Sequence, residues 1–219
     1  MGVFAGPEVV EDGLVLCLDA GNPKSYPGSE TTWTDLSGNG NNGTLVNGVG
    51  YSGDNLGSLS FDGVNDYINI GNIGSPQQFT CSFWVNPTEL NKDANNNYRR
   101  ILVSSVSVNV ILIEQGGPIS FRVPGHSNQN NYTAGLLSLN TWALVTCVFN
   151  QDYRIIYQNG NFVGQNQIGT GTVNFGNIQI TDVSDQIFKG FISNFQIYNR
   201  ALTPQEIQQN YNALKSRFQ

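Results

Sequence analysis

Short apolar runs, each of strand length and each closed by turn residues, set the rhythm of this sequence. They fall at 14–19 (LVLCLD), 59–61, 67–70, 79–85 (FTCSFWV), 119–123, 142–149 (WALVTCVF), 154–157, 161–163, 178–180 and 188–198. A longer stretch, 100–113, is rich in β-branched residues, with polar positions at 104, 105, 107 and 109. Asp62-Gly63 separates the second and third runs, Asn86-Pro87 closes the fourth, and Pro124 follows the run at 119–123. Asn159-Gly160 sits between two runs, the strongest short-range signal for a hairpin. Ten or more short strands at this spacing predict an all-β antiparallel sandwich or jelly roll. One segment has a different period. In Leu202-Thr203-Pro204-Gln205-Glu206-Ile207, Thr203 is an N-cap, Pro204 fits the first helical position, and Glu206 completes a capping box. Ile207, Tyr211 and Leu214 then recur at helical spacing, which predicts a helix over about 203–216. No composition break divides the chain, so it reads as an extended arm, 1–12, followed by a single domain, 13–219.

Composition sharpens this reading. Polarity comes from amides more than from charge: 29 Asn outnumber the 26 charged residues. Asn, together with 25 Gly, favours turns over helix interiors, which excludes a helical bundle. A net charge of −6 with only 10 Lys and Arg argues against a nucleic-acid partner and against docking on anionic lipid. No apolar run reaches the length of a membrane span, and residues 1–13 have neither the basic nor the apolar region of a secretion signal. Cys17, Cys81 and Cys147 each lie inside an apolar run and are expected in the core. With a single histidine, His126, a structural zinc site is excluded.

Taken in order, GLVLCLDAGNPKSYPGSETTWTDLSGNGNNGTL, SLSFDGVNDYINIG, FTCSFWVNP, WALVTCVFNQDYRIIYQNGNFVG and GFISNFQIYNRALTPQEIQQNYNAL resemble the LamG-like jelly-roll domains of the concanavalin A-like lectin/glucanase superfamily. The resemblance runs over roughly residues 13–215, and its opening segment is similar to versions found in phage and other viral structural proteins. It implies a concanavalin A-like jelly-roll sandwich of two antiparallel sheets with ligand-binding loops at one rim. Three positions depart from the family: Cys17 and Gln158, and Ile192-Ser193-Asn194-Phe195, where many members carry an acid.

Several residue groups are candidates for chemistry. A sugar site needs an aromatic ring to stack on and amide or guanidinium donors around it. Tyr98, Arg99 and Arg100 at the end of loop 91–100, and His126, Asn128, Asn130 and Tyr132 in loop 125–132, supply these types. Trp33, Trp84 and Trp142 are expected in the core. Calcium takes oxygens from loop Asp and Asn residues, and Asp62, Asn65 and Asp66 form one candidate group, Asp182 and Asp185 another. The same residue types also cap turns by bonding their own backbone, so both readings stand. No other cofactor is implied. Glycoside hydrolysis needs paired carboxylates, and Glu114 has no acid within twenty residues. The arm residues Val3, Phe4, Val9 and Val10 are apolar without strand alternation, which suits contact with a partner protein.

The expected function is a non-enzymatic virion surface protein of a phage, a head decoration or a tail or fibre component, made in the host cytoplasm. Its partners would be other virion proteins, with a homo-oligomer or larger assembly expected. The alternative is a carbohydrate-binding module that recognises cell-surface glycans; a glycan-cleaving enzyme is the third reading.

Overall fold

The computed structural model describes residues 8–90, 98–106, 110–128, 130–182 and 187–219. In chain order its strands are β1 Leu14–Asp19, β2 Thr32–Trp33, β3 Gly43–Val46, β4 Gly50–Ser52, β5 Ser58–Asp62, β6 Tyr67–Asn72, β7 Phe79–Pro87 and β8 Tyr98–Ser104. They continue with β9 Ile111–Glu114, β10 Ile119–Phe121, β11 Tyr132–Ala134, β12 Ala143–Phe149, β13 Tyr153–Gln158, β14 Asn161–Gln167, β15 Asn177–Ile180 and β16 Lys189–Tyr198. Helix α1 is Pro204–Leu214, followed by a 3₁₀ turn at Lys215–Arg217. The stretch 100–113, read as one run, belongs to two strands, β8 and β9. Between β13 and β14 the Asn159-Gly160 hairpin forms as expected, with positive φ at both residues.

The strands make two eight-stranded antiparallel sheets, in the order β14-β13-β12-β7-β16-β5-β4 and β11-β10-β9-β8-β15-β6-β3-β2, with β1 also on β16 in the first. This is the expected jelly-roll sandwich. The ten-residue β16 pairs with β7 along one side; on the other it takes β5 with its first half and β1 with its second. Alternation places Phe79, Cys81, Phe83 and Val85 of β7 and Val145, Cys147 and Phe149 of β12 in the shared core. Phe79 packs edge-on to Phe121 and Phe175, and Phe83 stacks on Phe195 at 5.4 Å.

The other face of the first sheet is covered too, which is why β12 is buried at every position. Val10, Val148, Tyr157, Tyr198, Leu202 and Ile207 form a second apolar layer beneath α1. Thr203 and Glu206 cap the helix reciprocally, with Pro204 in its first turn. Asn210 ties the helix to the arm, accepting from Val10 N–H at 2.8 Å and donating to Tyr198 Oη at 3.0 Å. Val10, expected to face a partner protein, therefore packs on its own chain, because α1 offers it an apolar neighbour. Val9 is half-buried, and Val3 and Phe4 lie outside the described residues. Among the described residues no helix is long and apolar enough to cross a membrane.

After α1 the chain end folds back over the first sheet. The Arg217 guanidinium grips Asp19 at 2.8 and 3.0 Å and Ser193 Oγ at 2.8 Å. Phe218 then stacks on Trp84 at 4.2 Å.

Candidate functional site

The second sheet turns its inner positions, Leu45, Ile68, Ile178, Ile180 and Leu102, into the core. Period-two alternation therefore sends their neighbours to the opposite face. Register pairs Thr44 with Asn69, Asn69 with Gln179 and Gln179 with Val103, so four adjacent strands set these residues in one cross-strand row on that face. A groove of about 340 Å³ runs over it, lined by Asn69, Val103, Ser104, Ser105, Asn177, Gln179 and Asp182. Asp182 is held by the Arg100 guanidinium. Tyr98 and Glu114 are opposite one another in the register and share the face with Arg100 and Leu112. The Glu114 carboxylate accepts from Asn131 Nδ2 at 3.2 Å, and Asn131 Oδ1 accepts from Arg122 at 2.8 Å.

The face thus carries amide and hydroxyl groups that both donate and accept, anchored by ion-paired or amide-bound carboxylates. Such a surface matches vicinal hydroxyls. Thiol chemistry is closed off: burial pushes Cys17 up to about 12 and raises Cys81 and Cys147 well above the ordinary thiol value.

Two of the seven sugar-site candidates lie on this face, Tyr98 and Arg100. Arg99 points the other way, 1% exposed, and pairs with Glu89. His126 is 3% exposed, its Nδ1 accepting from Asn128 N–H at 2.9 Å. That bond leaves Nε2 to carry the proton toward Gly169 O, 3.2 Å away. Asn130 is exposed, and its carbonyl accepts from buried Arg154. Tyr132 packs on the core with the Arg154 guanidinium 5.9 Å from its ring centre. Burial raises the Tyr132 hydroxyl above its usual value. Tyr98 and Tyr132 are therefore on opposite faces of one sheet and do not form a single pocket.

The candidate calcium groups are engaged locally. Asp62 Oδ1 accepts from Val64 N–H at 2.7 Å, and Asp66 Oδ2 accepts from Asp62 N–H at 2.9 Å. Asn65 contributes its carbonyl to Asn47 at 2.9 Å. Asp182 is bound by Arg100, and Asp185 lies outside the described residues. Burial raises the Asp66 carboxyl. Among the described residues no three His, Cys, Asp or Glu side chains are grouped to hold a metal ion.

The sequence reasoning passed over Asn69, Asn177 and Gln179. The signal for the amides was present: Asn69 and Gln179 each follow an inward isoleucine, and Gln179 has one on either side. Trp33 and Trp84 are in the interior as expected, but Trp142 is half-exposed, because it sits one residue before β12 at the sheet's end.

A family model described as the concanavalin A-like lectin/glucanases superfamily matches residues 62–208. No curated protein matches the sequence. Among solved structures, the binding domain of Paraclostridial Mosquitocidal Protein 1 aligns with a TM-score of 0.72 at 21% identity, over 92% of this chain and 52% of that one. The ligand binding domain of botulinum neurotoxin serotype D, solved in complex with N-acetylneuraminic acid, gives 0.72 at 19% identity, over 92% and 51%. Trypanosoma rangeli sialidase in complex with the inhibitor DANA gives 0.69 at 15%, over 96% and 34%. The chain spans about half the length of the two toxin domains and a third of the sialidase. At these identities the likeness is one of fold.

Proposed function

The chain belongs to the Laminin_G_3 family of the concanavalin A-like lectin/glucanases superfamily, and on that footing we propose that it is a non-catalytic carbohydrate-binding module displayed on a virus particle. The observation that carries the binding reading is the cross-strand row Thr44–Asn69–Gln179–Val103, with the Arg100–Asp182 pair beside it. Amides fixed on a rigid sheet can pair with sugar hydroxyls at little cost in ordering. Toxin binding domains with the same fold, one of them solved with a sialic acid, support the ligand class.

The non-catalytic reading rests on the engagement of the face's acids. Glycoside cleavage requires one carboxyl free to donate a proton and another to attack or to activate water. Here Glu114 is bound by Asn131, and Asp182 by Arg100. The virion setting rests on the likeness of the segment from LDAGNP to GTL to viral members of the family. Contacts to neighbouring virion proteins through residues 1–12, and a homo-oligomer or larger assembly, belong to the same proposal. So does the division into that arm and a domain at 13–219.

A glycan array probed with the purified protein, with Gln179→Ala and Asn69→Ala beside it, tests the binding reading. The expected result is a specific hit that either substitution weakens about ten-fold while the melting temperature holds. An array without hits from a folded protein overturns it. Turnover of a bound glycan that Glu114→Gln abolishes would make the protein an enzyme.

A further inference from the structure

On the opposite sheet, a hollow of about 130 Å³ lies beside Trp142, walled by Ser52, Asp54, Ser58, Asn86 and Phe191 and floored by Asn55. Its aromatic wall is pre-set. Trp142 Nε1 donates to Asn55 Oδ1 at 3.1 Å, and Asn55 Nδ2 donates to the Arg217 carbonyl at 2.8 Å. Phe218 backs the indole at 4.7 Å. Asn55 makes both bonds from a left-handed backbone, φ 55°, a conformation Asn tolerates better than most residues. On the polar wall Ser52 Oγ bonds Asp54, which is exposed, and the buried Asn86 Oδ1 has no partner among the described residues. An unpaired buried amide oxygen is costly, and Asn86, which lines the hollow, would have to turn it toward a ligand hydroxyl to satisfy it. The volume is below the roughly 300–1,000 Å³ of sites for drug-sized ligands, so it suits a single ring. The nearby cation, Arg217, is already paired with Asp19, and Asp54 is the one charged residue among the described residues lining the hollow, which disfavours an anionic sugar.

We propose that the hollow beside Trp142 is a second carbohydrate subsite that takes one neutral hexose ring, its apolar face on Trp142 and Phe191 and its hydroxyls on Asp54 and Asn86. It extends the carbohydrate-binding reading to the other sheet, and the two are separable. Trp142 is the least buried of the three tryptophans and lines the hollow, so its fluorescence reports occupancy. Methyl glucoside, methyl galactoside, methyl mannoside and methyl N-acetylneuraminoside are titrated into the full chain. At least one neutral hexoside gives a saturable change with Kd on the order of 1 mM, and the neuraminoside gives none. Asp54→Ala weakens that binding about ten-fold, Asn86→Leu, which removes the amide at nearly the same shape, does the same, and Gln179→Ala leaves it intact. No saturable change with any neutral hexoside overturns the subsite, and so does binding that survives both hollow variants. If array glycans bind and Gln179→Ala weakens them, while no neutral hexoside gives a saturable change in the fluorescence of the full chain, the subsite falls and the binding reading on the other sheet stands.

Discussion

Arg154 is a cation inside a sandwich, 2% exposed, and its geometry explains why it is tolerated there. Its guanidinium donates to the Phe121 carbonyl at 3.2 Å, to Asn166 Oδ1 at 2.7 Å and to the Asn130 carbonyl. Removal from water pulls its pKa below the usual guanidinium value. Arg154→Leu strands two carbonyls and an amide, so urea unfolding is expected to show a loss of about 3 kcal/mol. Arg154→Lys should recover little of that, because one ammonium cannot reach three partners set by a planar fork. Such residues mark where the sequence could be read and where it could not. Arg154 is two places from inward Ile156 and Arg99 two from inward Ile101, so the alternation pointed both side chains to the core side. Their charge argued for solvent, and the partners that reverse this, Glu89 for Arg99 and Phe121, Asn130 and Asn166 for Arg154, come from other strands and loops. The same gap hid the distinction between Tyr98 and Tyr132: both start strands, and only the register shows that one faces out and the other in.

Helix α1 was fully legible because its signals are local: Thr203, Pro204 and Glu206 fix its start within four residues. They also give it a pH signature. Hydrogen bonds from Arg200, at 2.6 and 2.9 Å, hold the Glu206 carboxyl down to about 2, against an ordinary glutamate near 4.3. A depressed folded-state value means the native protein binds its proton later than the unfolded chain. The stabilisation is therefore complete above about pH 4.5 and fades as the pH falls toward 2. Glu206→Gln should cost about 1 kcal/mol near neutrality and progressively less as the pH falls through 2, measured by urea unfolding at each pH. The 3₁₀ turn that follows was not legible, since nothing nearby in sequence announces that Arg217 will reach Asp19 or that Phe218 will cover Trp84. Phe218→Ala should cost about 2 kcal/mol and shift tryptophan emission to the red as Trp84 meets water. Strands β2, β3, β4 and β11 escaped the reading for a different reason. Each has two to four residues, too few for alternation to register, and neighbours in space define them.

The two-layer architecture followed from the spacing of turns alone, but the uses of its two outer faces did not. One sheet is sheathed by α1 and the chain end, and the other leaves amides open, a contrast set by where the last sixteen residues lie. In the FDGVND turn, which joins the sheets, backbone N–H groups bind Asp62 Oδ1 and Asp66 Oδ2. Chelating calcium is accordingly expected to leave the melting temperature unchanged, and Asp66→Asn to keep the fold. A drop of several degrees on chelation would mean that a bound ion supports the native state.

The place of β16 governs how the protein is made. It is the strand on which β7, β5 and β1 all pair, yet it begins only at Lys189. During synthesis the opening strand waits while the ribosome adds some 170 residues, its ladder partner still untranslated. Contacts this distant in sequence form slowly, and unpaired strand edges are the surfaces on which chains aggregate. Chains that stall before Lys189 should collect in inclusion bodies or on chaperones, and a pause in translation late in the message would do more harm than one placed early.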